Sequence, residues 1–271
     1  MSAITPQLSV GFTTQNNTIA LRKRTLEGPG AKAVDRRVLD TFEANGFRFE
    51  IDKYICLGPR ENDVERKVLG IFGGIHGNER AGTLICEAIL LRFTADPSLL
   101  NGYELHIYPA CNPWGLLFNS RNNANGTDLN RSFWTGSTEG ETRILEAELR
   151  KQRLDGLISL HTDHKSDGLY GYTQGRQIGR HLLEPALEEA SRILPLNGNS
   201  TPDGFHAAEG MIEECLPEVL RPPPALRGWP FEIILQTPGT APMSAQVSAG
   251  STAVIAILKQ YRRFLAHSWG I

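Results

Sequence analysis

The sequence has few cysteines, and the four it has are widely separated. Cys56, Cys86, Cys111 and Cys215 form no Cys-x-x-Cys pair. We therefore expect free, mostly buried thiols in a reducing compartment, for which the cytoplasm is the simplest choice. The first ten residues lack a basic stretch followed by an apolar run, so they do not predict a secretory signal.

Long apolar runs and an excess of one charge are also missing. No window approaches the roughly 18–20 apolar residues that a membrane-spanning helix requires. The formal net charge is −2, from 28 basic and 30 acidic residues, which gives no electrostatic footprint for nucleic acid or an anionic membrane. We expect neither as a partner. The sequence does not predict an oligomeric state.

What the sequence does contain is an alternation of strand-like and helix-like segments. Strand patterns cover 47–57, 67–73, 103–110, 156–160 and 231–235, and helical spacing covers 34–45, 81–93, 139–152, 178–194 and 251–266. This alternation predicts an α/β fold with a central mixed, largely parallel sheet flanked by helices. We expect residues 1–271 to form one domain, with the Pro- and Gly-rich stretch of about 197–229 as a long irregular excursion.

The segment from Gly73 to Gly82 indicates a metal site. A predicted strand ends in glycines, His76 and Glu79 follow three residues apart, and a predicted helix begins. Ligands gather beyond the carboxyl ends of strands in open α/β sheets, and imidazole with carboxylate suits Zn²⁺. A solvated histidine beside a helix-capping glutamate is the alternative interpretation of this spacing.

A third ligand is expected at the end of another strand. The apolar run 156–160 leads directly into His161. His164 is a weaker competitor near the same strand end, and backbone hydrogen bonding by His161 is the structural alternative. A catalytic zinc site commonly takes three protein ligands and leaves one position for water.

Two further segments carry polar groups suited to chemistry. Arg121 and Arg131 lie among amides and glycines after a predicted strand, where guanidinium groups could bind a carboxylate or stabilise an oxyanion. A polar turn is the alternative. Glu232 lies inside the apolar strand 231–235, where a buried carboxylate requires a metal, a cation or a proton, unless the strand turns it to solvent.

Taken in order, these blocks resemble the zinc metallocarboxypeptidase family, the carboxypeptidase A-like fold. Its relatives include the murein-peptide amidases and the succinylglutamate desuccinylase/aspartoacylase branch. The resemblance spans about Gly73 to Gly239: His-x-x-Glu, then Asn-Pro…Arg…Asp-x-Asn-Arg, then a strand-end His, then a Glu on a strand. Each block alone is weak, and the specificity comes from their order.

The resemblance implies a role for each matching residue. His76, Glu79 and His161 would bind one zinc ion, with Asp128 holding the first imidazole from behind. Arg121 would polarise the scissile carbonyl. Asn130 and Arg131 would bind the terminal carboxylate of the substrate. Glu232 would serve as general base and acid.

The function implied is hydrolysis of a peptide or amide bond next to a terminal carboxylate, by a metallocarboxypeptidase or peptide amidase acting on a small peptide. A deacylase acting on N-acyl amino acids is the second hypothesis, and an inactive metal-binding protein is the third. Two features depart from the family. Its mobile tyrosine has no clear counterpart, with Tyr170 and Tyr172 as candidates. The run from Thr162 to Lys165, with Asp163 and His164, is unusually charged, and it could select a polar or charged side chain, hold a second metal or form a simple solvated loop.

Overall fold

The computed structural model describes residues 11–15, 18–21, 26–60, 65–198, 204–205, 207, 209–214, 219–224 and 230–268. In chain order, its strands are β1 (Phe12–Gln15), β2 (Thr18–Leu21), β3 (Val34–Ala44), β4 (Phe47–Leu57), β5 (Lys67–Gly73), β6 (Tyr103–Tyr108), β7 (Gly156–Asp163), β8 (Tyr170–Thr173), β9 (Met211–Ile212) and β10 (Phe231–Pro238). Its α-helices are α1 (Arg80–Ala95), α2 (Pro113–Phe118), α3 (Gly140–Lys151), α4 (Arg176–Ile178), α5 (Glu184–Ala190) and α6 (Met243–Ser268). A π-helical turn (Gly179–Leu183) joins α4 to α5. Cys215 and much of the predicted excursion lie outside these ranges.

All ten strands join one mixed sheet in the order β1-β2-β4-β6-β5-β7-β10-β8-β9, with β3 pairing β4. The central run β6-β5-β7-β10 is parallel, and antiparallel pairs lie to either side of it. The predicted fold class is therefore confirmed. The carboxyl ends of the central parallel strands meet at one edge, where the topology of an α/β sheet places ligands.

Helices cover both faces of the sheet and divide the core into two main clusters. One cluster combines α1, α5 and α6 with one face, and the other places α3 against the opposite face. In the second cluster the rings of Phe72 and Tyr108, on β5 and β6, stack with their centroids 4.3 Å apart. None of the helices in the described ranges has the length and apolar character needed to cross a bilayer.

The helix predicted over 34–45 is wrong, because these residues form β3. β3 and β4 make a long antiparallel hairpin joined by Asn45 and Gly46, both with positive φ. An Asn-Gly pair suits the tight turn that matches the twist of two antiparallel strands. The spacing resembled a helix because β3 is largely exposed and only part of it carries an apolar alternation.

The other predicted elements are confirmed, with shifted ends. Helix α6 begins eight residues before its predicted start, and β8 was not predicted. The shift that matters most is in β10, which runs to Pro238 rather than ending at residue 235. Because of this extension, Gln236 is the β10 residue that pairs with His161 near the carboxyl end of β7.

Candidate metal centre

The loop between β5 and α1 carries the first two predicted metal ligands. His76 and Glu79 are both buried, with exposures of 3% and 4%. Between them, Gly77 packs against the backbone of Gly115 at the start of α2, where an added Cβ would lie 1.8 Å from the Gly115 carbonyl carbon. The absence of a side chain at residue 77 therefore lets two backbones touch and fixes the loop.

His161 joins these two residues from the end of β7. Its Nδ1 lies 2.9 Å from Glu79 Oε2, and Nδ1 of His76 lies 2.7 Å from Glu79 Oε1. One donor atom from each of the three side chains falls within 4.8 Å of the others. Zinc bonds of about 2.0–2.2 Å to nitrogen and carboxylate oxygen fit inside that span. His76, Glu79 and His161 could therefore hold one metal ion, as predicted.

Each imidazole is oriented by a partner on its far side. Nε2 of His76 lies 3.0 Å from Asp128 Oδ1, and Nε2 of His161 lies 2.9 Å from Ser159 Oγ. These partners leave Nδ1 of both rings directed toward Glu79. A metal-binding histidine usually has its other nitrogen held in this way, so the donor set fits a zinc site.

The pKa values of the three metal-site residues are set by burial and by their contacts with one another. Burial alone would raise the pKa of Glu79, but His161 and His76 outweigh it and hold the pKa well below its usual range. Burial would lower the pKa of His76, yet hydrogen bonds to Asp128 and Glu79 raise it. Burial dominates at His161 and lowers its pKa, which favours the neutral imidazole that a metal requires.

The segment after α2 brings the predicted arginines to the same cavity. Arg121 donates from Nη2 to Asp128 Oδ2 at 3.0 Å and from Nη1 to Glu79 Oε1 at 3.3 Å. Asp128 also caps the short 3₁₀ turn Leu129–Arg131 by accepting from Asn130 N. Arg121, Asn130 and Arg131 all line a cavity of about 270 Å³ together with the three metal-site residues.

The charged run after His161 forms another wall of this cavity. Asp163, His164, Lys165 and Tyr170 all line it. Tyr170 donates its hydroxyl proton to Asp163 Oδ2 at 2.9 Å, and Lys165 N donates to Asp163 Oδ1 at 2.8 Å. Within the described ranges, the one group of three close His, Cys, Asp or Glu donors is the His76 cluster. Tyr170 rather than Tyr172 reaches the cavity.

Glu232, predicted as the general base, is not brought to the cavity. It is the second residue of β10 and pairs with Leu157 in the ladder, whereas Gln236 pairs with His161. Four residues of strand separate Glu232 from Gln236, or roughly 13 Å at about 3.3 Å per residue. The Glu232 carboxylate instead lies 3.4 Å from Nη2 of Arg221. The apolar run 231–235 offered a single carboxylate but no register, and the ladder places that carboxylate at the amino end of β10, away from His161.

Three polar groups at the site were not predicted. Ser159 lies two residues before His161 on the same face of β7, which the strand alternation could have indicated. The backbone N–H of Thr162 donates to Glu79 Oε2 at 3.0 Å, and no sequence signal announces a backbone contact. Gln236 lines the cavity beside His161.

Comparison with solved structures identifies the fold as that of the zinc carboxypeptidases. A metallo-carboxypeptidase from Burkholderia cenocepacia superimposes with a TM-score of 0.65 at 15% identity, over 86% of this chain and 66% of that one. A candidate metallopeptidase from Shewanella amazonensis gives a TM-score of 0.69 at 20% identity, over 83% and 86%. The succinylglutamate desuccinylase/aspartoacylase of Rhodobacter sphaeroides gives 0.51 at 18%, over 79% and 58%.

Comparison of sequences finds similarity to two groups of metal-dependent hydrolases. Residues 65–193 match the model of the succinylglutamate desuccinylase/aspartoacylase catalytic domain. Carboxypeptidase SOL1 of Arabidopsis thaliana is 33% identical over 138 residues, which cover 43% of this chain and 27% of that protein. The chain thus matches about a quarter of the length of that curated relative. The resemblance to the zinc carboxypeptidases and their desuccinylase/aspartoacylase branch is confirmed.

Proposed function

We propose that this protein is a zinc-dependent hydrolase that cleaves a peptide or amide bond next to a terminal carboxylate. One observation carries the proposal: three buried donors converge in a cavity that is also lined by Arg121, Asn130 and Arg131. A metal site, an oxyanion donor and a carboxylate-binding pair are the parts that this reaction needs. We further propose that residues 1–271 act as one catalytic domain, in keeping with the single ten-stranded sheet.

His76, Glu79 and His161 would hold the zinc ion. When bound, zinc would supply a Lewis acid and lower the pKa of a coordinated water toward about 7. Asp128 and Ser159 keep the two imidazoles turned inward, so that little reorganisation is needed on binding. Thr162 N–H fixes the carboxylate of Glu79 from the backbone of β7.

Arg121 would stabilise the negative oxygen that forms when water adds to the carbonyl. Its guanidinium is half-exposed, and it already lies within 3.3 Å of a metal-site carboxylate oxygen. With Glu79 engaged by a metal, Nη1 of Arg121 would be available to the substrate while Nη2 stays on Asp128. Arg131, exposed at the cavity wall, and Asn130 would receive the substrate carboxylate, for which a planar guanidinium has the matching geometry.

Deacylation of N-acyl amino acids is the second candidate, with one observation in its favour. The matched domain model, over residues 65–193, is that of the desuccinylases and aspartoacylases. Both reactions use the same cavity parts and cleave an amide whose nitrogen belongs to an amino acid with a free carboxylate. They differ in the acyl part, which is an amino-acid residue for the peptidase and a simple carboxylic acid for the deacylase. We propose a cytoplasmic location because Cys56, Cys86 and Cys111 are buried and free.

A substrate panel tests the proposal. Zinc-loaded full-length protein is incubated with dipeptides, diaminopimelate-containing peptides and N-acetyl or N-succinyl amino acids, and the products are followed for many turnovers by mass spectrometry. We expect cleavage that chelation abolishes and that blocking the substrate carboxylate as an amide prevents. Amino acids released from dipeptides indicate the peptidase, whereas carboxylic acids released from N-acyl amino acids indicate the deacylase.

Substitution of the oxyanion donor provides the matched control. Arg121→Ala should lower kcat by roughly 10²–10³, by analogy with other oxyanion donors. Arg37→Ala removes an exposed guanidinium on β3 that pairs with the exposed Asp35, and it should leave kcat unchanged. An Arg121→Ala protein as active as the Arg37→Ala protein would reject the proposed role.

A further inference from the structure

Gln236 occupies the position on β10 that stands level with the metal site. In the parallel ladder its Cα pairs with that of His161, and each is the sixth residue of an eight-residue strand. Both side chains line the same cavity. Ile234 is the other β10 residue that lines the cavity, so a polar β10 group that acts on a ligand beside His161 would come from residue 236.

The amide of Gln236 has an unused hydrogen-bonding atom. Its Oε1 is buried and has no hydrogen-bond partner within the described part of the chain. A buried acceptor left unpaired costs about 1–3 kcal/mol, so native proteins rarely retain one without a reason. A donor from a ligand in the cavity, such as the N–H of an amide bond, would satisfy it.

The two carboxylates that line the cavity, Glu79 and Asp163, already accept hydrogen bonds from protein groups. Glu79 accepts from both imidazoles and from Thr162 N–H, and Asp163 accepts from Tyr170 and Lys165 N–H. In amide hydrolysis the carbonyl carbon gains the water oxygen, and the C–N bond breaks with its electron pair going to nitrogen. One water proton must reach that nitrogen. A carboxylate can hold this proton between the two steps, whereas a carboxamide is far too weak a base.

We propose that Gln236 is the β10 side chain that contacts the ligand, as a hydrogen-bonding group, and that its amide limits hydrolysis at the proton-transfer step. This inference rests on the proposed function. The natural site then binds its ligand well and turns it over slowly. A carboxylate of the same size at residue 236 would accept the water proton and return it to the leaving nitrogen.

The test uses two substitutions of similar volume in the zinc-loaded full-length protein. Gln236→Glu should raise kcat by roughly 10²–10⁴, the usual contribution of a placed general base. Gln236→Met keeps the length but removes the hydrogen bond, and it should weaken binding roughly 5- to 10-fold. Affinity is measured by calorimetry on the panel's best substrate, or on L-alanyl-L-alanine if none is cleaved. Zinc stoichiometry and Tm show that each variant is folded and loaded.

The outcomes separate this inference from the proposed function. Equal turnover by the natural protein, Gln236→Glu and Gln236→Met would overturn the inference alone, because the proton acceptor would then lie elsewhere. Zinc-dependent turnover by the natural protein that rises in Gln236→Glu and does not rise in Gln236→Met would support both. Turnover found in Gln236→Glu alone would support the inference and overturn the proposed function. Absence of zinc-dependent turnover in every protein, Gln236→Glu included, would overturn both. Unchanged affinity in Gln236→Met would overturn the proposed contact.

Discussion

Two buried clusters in this protein combine histidine with glutamate, yet they differ in where their positive charge comes from. In the metal site, Glu79 lies between His76 and His161, and the cavity opens beside it. In the second cluster, between β4, β6 and α3, Lys53 donates to both Glu148 and Nδ1 of His106. We refer to it as the Lys53 cluster.

The difference shows what a metal site requires beyond its donor atoms. In the Lys53 cluster an ammonium fills the centre, and Tyr108 completes it by donating to Glu148 at 3.0 Å. Burial would raise the pKa of Glu148, but the neighbouring imidazole of His106 and the hydrogen bonds from Lys53 and Tyr108 lower it to about 2. The metal site has no lysine at its centre. Arg121 reaches Glu79 only from the half-exposed side of the site, so positive charge at its centre would come from protonated imidazole or from a bound cation.

The largest expected effect comes from removing a metal ligand. His161→Ala should abolish stoichiometric zinc binding and reduce hydrolysis to the level of the chelated protein, because two donors hold zinc far less tightly than three. Metal analysis after gel filtration and turnover on the best substrate measure both effects. His181→Ala, at an exposed histidine outside the cavity, is the control. Full zinc occupancy in His161→Ala would show that the ligand set is wrong.

Removing the internal cation should damage the Lys53 cluster almost as severely. Lys53→Met leaves the buried carboxylate of Glu148 without its ammonium, which should cost about 3–5 kcal/mol in the free energy of unfolding. Lys67→Met removes an equivalent charge from a pair with Asp155 that is about one-third exposed, and it should cost at most about 1 kcal/mol. Urea denaturation measures both. Equal losses in the two variants would contradict the distinction between buried and exposed pairs.

The orienting partners of the imidazoles should have a smaller effect than the ligands. Asp128→Ala should weaken zinc affinity by about 10–100-fold, since it removes the carboxylate behind His76. Ser159→Ala removes a neutral hydroxyl behind His161, and it should weaken affinity less than Asp128→Ala does. Competition with a chromophoric chelator gives both constants. The reverse order would mean that His161 rather than His76 depends on its partner.

Glu141 is a further buried carboxylate that sharpens the comparison. Among the residues that the structure describes, it belongs to no metal-binding group and pairs with no lysine. Burial raises the pKa of Glu141 from 4.5 to about 7, and its Oε1 has no hydrogen-bond partner there. A raised folded-state pKa means that stability is fully present below about pH 4.5 and falls as the pH rises through about 7. Glu141→Gln should therefore add about 1–2 kcal/mol at pH 8 and almost nothing at pH 4.

Thermal unfolding at the two pH values measures this smallest effect. For a chain of this size the gain corresponds to a Tm increase of a few degrees at pH 8. Glu139→Gln is the contrasting variant, because Glu139 accepts hydrogen bonds from Asn123, Asn125 and Thr127, and its pKa is lowered. It should lose stability at pH 8. A gain in both variants would contradict the assigned causes.

The metal-site edge could be predicted from sequence because its signals are local. His76 and Glu79 follow a glycine-terminated strand, and His161 ends an apolar run, so each ligand is marked by its own neighbours. The parallel central strands then bring these ends together without further information. The same rule identified the segment that holds Arg121 and Asp128.

The residue facing the site from β10 could not be predicted in this way. Strand pairing sets the level of each residue, and that register depends on neighbouring strands rather than on the segment itself. The sequence 231–238 contains one carboxylate, and Glu232 attracted the base role although it lies at the opposite end of the strand from His161's partner. In the same way, β3 is a strand because the turn at Asn45 and Gly46 pairs it with β4, whereas the apolar spacing of 34–45 taken alone predicted a helix.

The pairing of β5 with β7 also has a consequence for biosynthesis. His76 and Glu79 leave the ribosome before α1, β6, α2 and α3, and His161 follows only with β7. A nascent chain therefore contains only two of the three donors until β7 has been synthesised. The three donors come together only when β7 pairs with β5, so we expect stoichiometric metal binding to follow assembly of the sheet and then to stabilise it.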